Sequence, residues 1–190
     1  MLSQIRPALV SLGIFTVLTG AIYPAVVTGV AQAAFPTKAN GSLIVRDGKE
    51  VGSSLIGQPF SDPRYFWGRP SATGPQAYNG AASSGSNQGP TSTALTDAVK
   101  ARIQALRDAD PGNDAPIPVD LVTASASGLD PHVSPAAALY QVRRVARVRG
   151  VNEAALRELV AKHTEGRTFG ILGEPVVSVL ALNLALDAMK

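Results

Sequence analysis

Asp130, His132 and Ser134 alternate over five residues and are the side chains a hydrolase would use: a carboxylate to orient, an imidazole to take a proton, a hydroxyl to attack. Their setting argues for a turn instead. Asp130 precedes Pro131, which pushes it toward an extended conformation. Ser134 precedes Pro135, and that pair suits a helix start: serine caps orphan donors and proline fits the first turn. A second constellation, Ser84-Gly85-Ser86-Asn87-Gln88-Gly89-Pro90, has glycines that let backbone amides converge on an anion or carbonyl; the plainer reading is a flexible loop. In a third, Tyr65-Phe66-Trp67-Gly68-Arg69-Pro70-Ser71, aromatics meet Arg69. That is the composition of an interface anchor and equally of packing inside a domain.

Other chemistries lack their parts. A P-loop needs Gly-x4-Gly-Lys-Ser/Thr. The nearest run, Gly48-Lys49-Glu50, has Leu43 in place of the first glycine and Glu50 in place of the hydroxyl. There is no Gly-x-Ser-x-Gly elbow and no Asp-Lys-Thr-Gly phosphorylation segment. The two histidines, His132 and His163, are far apart, and there is no cysteine for a thiolate site, a nucleophile or a disulfide. The residues predict no self-sufficient active site.

The element that must place these loops is at the start of the chain. Residues 7–37 carry no charged side chain, and the 28 positions 8–35 would reach about 40 Å as a helix, enough for a bilayer core. Arg6 and Ala31-Gln32-Ala33 resemble parts of a cleaved signal peptide, but the apolar run is about twice as long as a signal core. A retained anchor is expected. Lys38, Arg46 and Lys49 follow it, so a plain Lys/Arg count does not favour a cytoplasmic N-terminus; long domains translocate largely regardless of charge, which favours an exported C-terminal part. Pro24 falls mid-helix, crowds the carbonyl of Gly20 and predicts a kink, with Thr19 or Thr28 re-satisfying freed groups. Thr16 and Gly20, then Ala25, Gly29 and Ala33, form a ridge of small residues that lets another helix approach.

Beyond the anchor the composition suits one compact domain. The formal charge is +3, and Arg143, Arg144, Arg147 and Arg149 read as the wet face of a helix. Residues 42–51 predict a hairpin turning at Asp47-Gly48, with the return strand continuing through Ser54-Leu55-Ile56. Residues 59–92 form a long loop that holds Phe60, Tyr65, Phe66, Trp67 and Tyr78, enough to bury. Leu95, Val99, Ile103 and Leu106 share a stripe, predicting a helix over 92–109; residues 119–123 suggest a short buried strand. Helices are expected over 135–149, ending at Gly150, over 153–163 with Asn152 as cap, and over 179–189 with Ser178 as cap. The expected class is α/β or α+β: a cytoplasmic head (1–7), one transmembrane helix (8–35), and a single exported domain (36–190) with a small sheet and about four helices.

In order and spacing, further motifs extend these constellations. They are Arg6-Pro7-Ala8, Gly52-Ser53-Ser54-Leu55-Ile56-Gly57-Gln58, Ser127-Gly128-Leu129-Asp130-Pro131-His132-Val133-Ser134-Pro135, Leu172-Gly173-Glu174-Pro175 and Leu182-Asn183-Leu184-Ala185-Leu186-Asp187. With the Tyr65 and Ser84 segments they resemble the KdpC family, the small subunit of bacterial Kdp potassium-transporting P-type ATPases, over nearly the whole chain. Gln88 and Ser178 stand where that family more often has Leu and Asn.

The resemblance implies a non-catalytic subunit in the bacterial inner membrane that assembles with an ATP-hydrolysing pump subunit and a potassium-channel-like subunit. ATP, magnesium and potassium would act in the complex, with no cofactor held by this chain and no nucleic acid bound. Of the roles proposed for the family, one is a catalytic chaperone that raises the pump's ATP affinity, with Gln141 at the position proposed to touch nucleotide. A domain outside the membrane cannot touch cytoplasmic ATP, so that effect is expected to be indirect. Arg69, Ser86, Asn87, Asp130 and His132 are the candidates for an interface or ion mouth; Gly20, Pro24, Ala25, Gly29 and Ala33 are the candidates for helix docking. The rival reading is a membrane-anchored hydrolase or solute-binding domain acting alone.

Overall fold

The computed structural model describes residues 2–189. The apolar start forms one uninterrupted helix, Ile5–Ala34, long and apolar enough to cross a membrane. It consists of α1 (Ile5–Val17), a π-helical turn (Leu18–Ile22) and α2 (Tyr23–Ala34). The disturbance expected at Pro24 therefore takes the form of a widened turn just ahead of it. The N–H of Tyr23 reaches back five residues to the carbonyl of Leu18, and the Thr19 hydroxyl donates to the Phe15 carbonyl at 2.7 Å.

A short turn, α3 (Pro36–Ala39), leads into the hairpin of β1 (Leu43–Arg46) and β2 (Lys49–Ser53). Asp47 and Gly48 both have positive φ, 52° and 76°, as a tight two-residue hairpin turn demands. The return strand stops at Ser53; Ser54, Leu55 and Ile56 form a turn rather than the expected continuation. Two compact units part between Val51 and Gly52.

The second unit is built from α4 (Thr93–Ala109), α5 (Pro135–Arg149), α6 (Glu153–Lys162), α7 (Val179–Ala188) and a small antiparallel sheet. The sheet order is β3–β5–β4, with strands His132–Val133, Val176–Ser178 and Thr164–Glu165. Its register pairs Val133 and Thr164 with Val177 on either side. Each strand is only two or three residues long, too short to show an alternating pattern, so the sheet was expected only in outline. Its central residue Val177 is fully buried with Val142 and Val145 of α5, Leu156 of α6 and Leu182 of α7. Side chains of this kind stabilise by about 1.5–3 kcal/mol each when fully buried.

Helix boundaries follow their caps. Ser134 Oγ accepts from the Ala137 N–H at 3.1 Å, Gly150 closes α5 with φ 69°, and Asn152 Oδ1 accepts from the Ala154 N–H at 2.7 Å. Ser178 occupies the N-cap position of α7, yet its side chain makes no capping bond; its residue instead ends β5. The buried strand expected over 119–123 is a 3₁₀ turn, Val119–Leu121, with Val119 68% exposed. Both the N–H and the hydroxyl of Thr123 donate back to the Val119 carbonyl, at 2.9 and 2.8 Å, which winds the segment. A run of five residues with three apolar side chains does not distinguish a strand from a turn.

Candidate functional site

The aromatic loop is held at its backbone by side chains, and among the described residues no strand pairs with it. Asn183 of α7 and Gln141 of α5 each clamp one residue of it at both backbone groups. Asn183 Oδ1 accepts from the Phe66 N–H and its Nδ2 donates to the Phe66 carbonyl, both at 2.9 Å. Gln141 Oε1 accepts from the Trp67 N–H at 2.8 Å and its Nε2 donates to the Trp67 carbonyl at 3.1 Å. Gln141 is 1% exposed; its Oε1 also accepts from Arg144 Nη2 at 2.6 Å, and its Nε2 also donates to the Ala137 carbonyl at 3.2 Å. Two lone pairs and two N–H groups are all a glutamine amide has. In this conformation none remains for a nucleotide.

Of the four arginines of α5, Arg143 and Arg147 are exposed as expected, but Arg144 and Arg149 are not a wet face. Arg144 is 2% exposed, its guanidinium lies 4.5 Å from the Trp67 ring centroid, and it donates to the Pro63 carbonyl. Burial lowers its pKa to about 10, which leaves it charged at neutral pH. Arg149 stacks 4.7 Å from the Tyr65 ring centroid and pairs with Asp187 at 2.7 Å. Arg147 lies 2.8 Å from the buried Asp110, an ion pair that falls short of hydrogen-bond alignment, and Arg143 donates to the Gly112 carbonyl at 2.8 Å. Their targets lie 31 to 85 residues away in sequence, so the helix period alone gave no hint of them. Asn183 and Asp187 were likewise missed as bracing residues. The available signal was an asparagine within a leucine-rich helix, since a buried amide must find partners.

Arg69, Asp130 and His132 do come together. They line a groove of about 480 Å³ with Asp120, Ser134 and Glu174 among its walls. Arg69 Nη1 donates to Asp130 Oδ2 at 3.3 Å, and Asp130 Oδ1 accepts from the His132 N–H at 3.0 Å. His132 Nδ1 is 3.6 Å from the same carboxylate, an ion-pair distance rather than a hydrogen bond. Ser134 is no nucleophile in this arrangement, because its oxygen caps α5 and its N–H is bound to Asp120 at 2.7 Å. Ser86 and Asn87 are exposed and do not line the groove. Their loop is fastened beside Ser127 instead: Ser84 N–H donates to the Ser127 carbonyl at 3.0 Å, and a Cβ on Gly85 would lie 2.8 Å from the Ala126 carbonyl. Gly20, Pro24, Ala25, Gly29 and Ala33 are all exposed on the long helix of the first unit. Among the described residues no three His, Asp or Glu side chains are grouped for a metal ion.

The groove makes folding stability depend on pH. The Asp130 carboxylate raises the His132 pKa, with Glu165 adding to it, while His132 and Arg69 hold Asp130 below its ordinary 3.8. A raised histidine stabilises fully below its unfolded value of about 6.5 and loses that contribution as pH rises through the folded value. A depressed aspartate stabilises above about 3.8 and loses it as pH falls. Stability from this pair therefore peaks in mild acid. Thermal melting is expected at a higher temperature near about pH 5.5 than near about pH 8.5, and His132→Asn should flatten that slope. An unchanged slope in the variant would refute the assignment.

The motifs and their order find their counterpart in one family model, described as "KdpC: K+-transporting ATPase, c chain", which matches residues 5–188. The chain belongs to the KdpC family. Curated relatives agree over full length. A "Potassium-transporting ATPase KdpC subunit" of Methylococcus capsulatus is 64% identical over 190 residues, all of both chains. The protein of that name from Sorangium cellulosum is 65% identical over 190 residues, again all of both chains. That from Polaromonas naphthalenivorans is 66% identical, covering all of this chain and 97% of its own. Within this KdpC-family chain, the segments that prompted the resemblance sit where the geometry binds them. The Tyr65 segment is clamped by α5 and α7, and the Asp130 segment forms one wall of the groove.

Proposed function

We propose that this chain is a non-catalytic subunit of a potassium-transporting P-type ATPase, anchored in the bacterial inner membrane by one helix with its C-terminal domain outside the cytoplasm. It assembles with the ATP-hydrolysing pump subunit and the potassium-channel-like subunit and steadies the ion entrance. ATP, magnesium and potassium act on those partners. The observation that carries this reading is the full-length match to the KdpC family, joined to a single membrane-length helix. Gln141, held at every donor and acceptor by its own domain, supports an indirect effect on ATP affinity, through the pump conformation the subunit favours.

The small-residue ridge supplies the test. A Cβ on Gly29 meets nothing within 4 Å, so Gly29→Leu leaves the helix itself unstrained. In cells carrying this variant with alkaline phosphatase fused to its C-terminus, phosphatase activity should persist, because that enzyme matures only outside the cytoplasm. Potassium uptake should fall. A silent phosphatase would refute the orientation, and undiminished uptake would refute docking through the ridge.

A further inference from the structure

Residues 166–174, between β4 and β5, form a small projecting finger. Thr168 and Leu172 exchange backbone hydrogen bonds of 2.8 and 3.0 Å, and the Gly170 N–H donates to the Arg167 carbonyl at 3.0 Å. At its tip Phe169 is 89% exposed, Ile171 73% and Leu172 58%. Phe169 has φ 56°, a conformation that bulky residues rarely adopt. At the finger's base Arg167 Nη2 lies 2.8 Å from both carboxylate oxygens of Glu174, so the two flanking charges close on each other. The tip itself, residues 168–173, carries no charge. Domains rarely present a cluster of large apolar side chains to water without a use for it.

We propose that this finger docks into an uncharged apolar cleft on the outer face of another subunit of the same ATPase complex, with Phe169 as the anchor. This rests on the reading of the chain as a subunit of that complex. Charge argues for protein over lipid. Segments that lie in a lipid interface set their apolar side chains beside Lys or Arg, whereas this tip has no charge and its one flanking cation is bound to Glu174. A single aromatic inserted in a desolvated pocket is the usual arrangement of a binding hot spot.

The test uses the full chain co-expressed with the other subunits in membranes. A photoreactive benzoylphenylalanine at position 169 should cross-link to one of those subunits, identified by its peptides. The double variant Phe169→Asp/Ile171→Asp should co-purify with the pump at least about tenfold less than the unmodified chain. Its melting temperature should be unchanged, because the replaced side chains face water. Adducts only with lipid or with a second copy, or undiminished co-purification of the variant, would overturn the docking site while leaving the subunit reading in place. If the double variant melts early, the cross-link alone decides. Failure of the unmodified chain to co-purify at all would sink the subunit reading, and this inference with it.

Discussion

Gln141→Leu is expected to lower the unfolding free energy by about 3–5 kcal/mol. Leucine fills much the same space but removes four hydrogen bonds. It leaves the Trp67 N–H, the Trp67 carbonyl and one nitrogen of Arg144 without partners inside the domain, and each orphaned buried group costs about 1–3 kcal/mol. The Arg144 guanidinium loses its hold beside the indole ring, so the aromatic loop should loosen as well. Urea unfolding of the chain in detergent, followed through the fluorescence of Trp67, measures the effect. Gln141→Glu, which still accepts from Trp67 and Arg144 but cannot donate to the Trp67 carbonyl, should fall between. A loss below about 1 kcal/mol for the leucine variant would contradict the clamp. It would also reopen a direct role for the amide, since a residue free to meet nucleotide would contribute little to folding.

Gly128→Ala should cost about 2–4 kcal/mol, more than an alanine elsewhere at the same backbone angle. Gly128 has φ 68°, and a Cβ there would fall 2.5 Å from Thr73 Cγ2 and 2.7 Å from the Ser84 carbonyl oxygen. Gly150 is the natural comparison: its φ is 69°, yet a Cβ there meets nothing within 4 Å. Gly150→Ala thus reports the backbone cost alone, about 1 kcal/mol. The difference between the two variants measures how tightly three loops converge. Ser71 adds to that convergence by donating to the Gly128 carbonyl at 2.7 Å while accepting from the Tyr78 N–H at 2.9 Å. Equal melting temperatures for the two variants would show that the loops yield.

What the chain's order revealed and what it hid divide by distance. The hairpin turn, the starts of α5 and α6 and the end of α5 are local matters, and Asp47-Gly48, Ser134-Pro135, Asn152 and Gly150 disclosed them. The stripe of α4 did the same, with Leu106 buried and Val99 and Ile103 packed against the core. Arg144 and Arg149 were misread because exposure is decided by what docks on a helix, and the docking loop lies some 80 residues upstream. Residues 119–123 failed for a different reason: a run that short carries no period. Local spacing put Asp130 and His132 together, but not Arg69 with them. Composition gave no reason to bring a residue of the aromatic loop to a turn 61 positions away.

The widened turn at Leu18–Ile22 also bears on how the small residues line up. Thr16 to Gly20 is a step of four, as are Ala25 to Gly29 and Gly29 to Ala33, but Gly20 to Ala25 is a step of five. In an unbroken α-helix that extra residue would swing the upper half away from the lower by about 100°. A π-turn holds the surplus residue, and its five-residue reach brings Gly20 and Ala25 back toward a common side. What reads in sequence as two short, misaligned notches thus lies on one rod, joined across its wide turn.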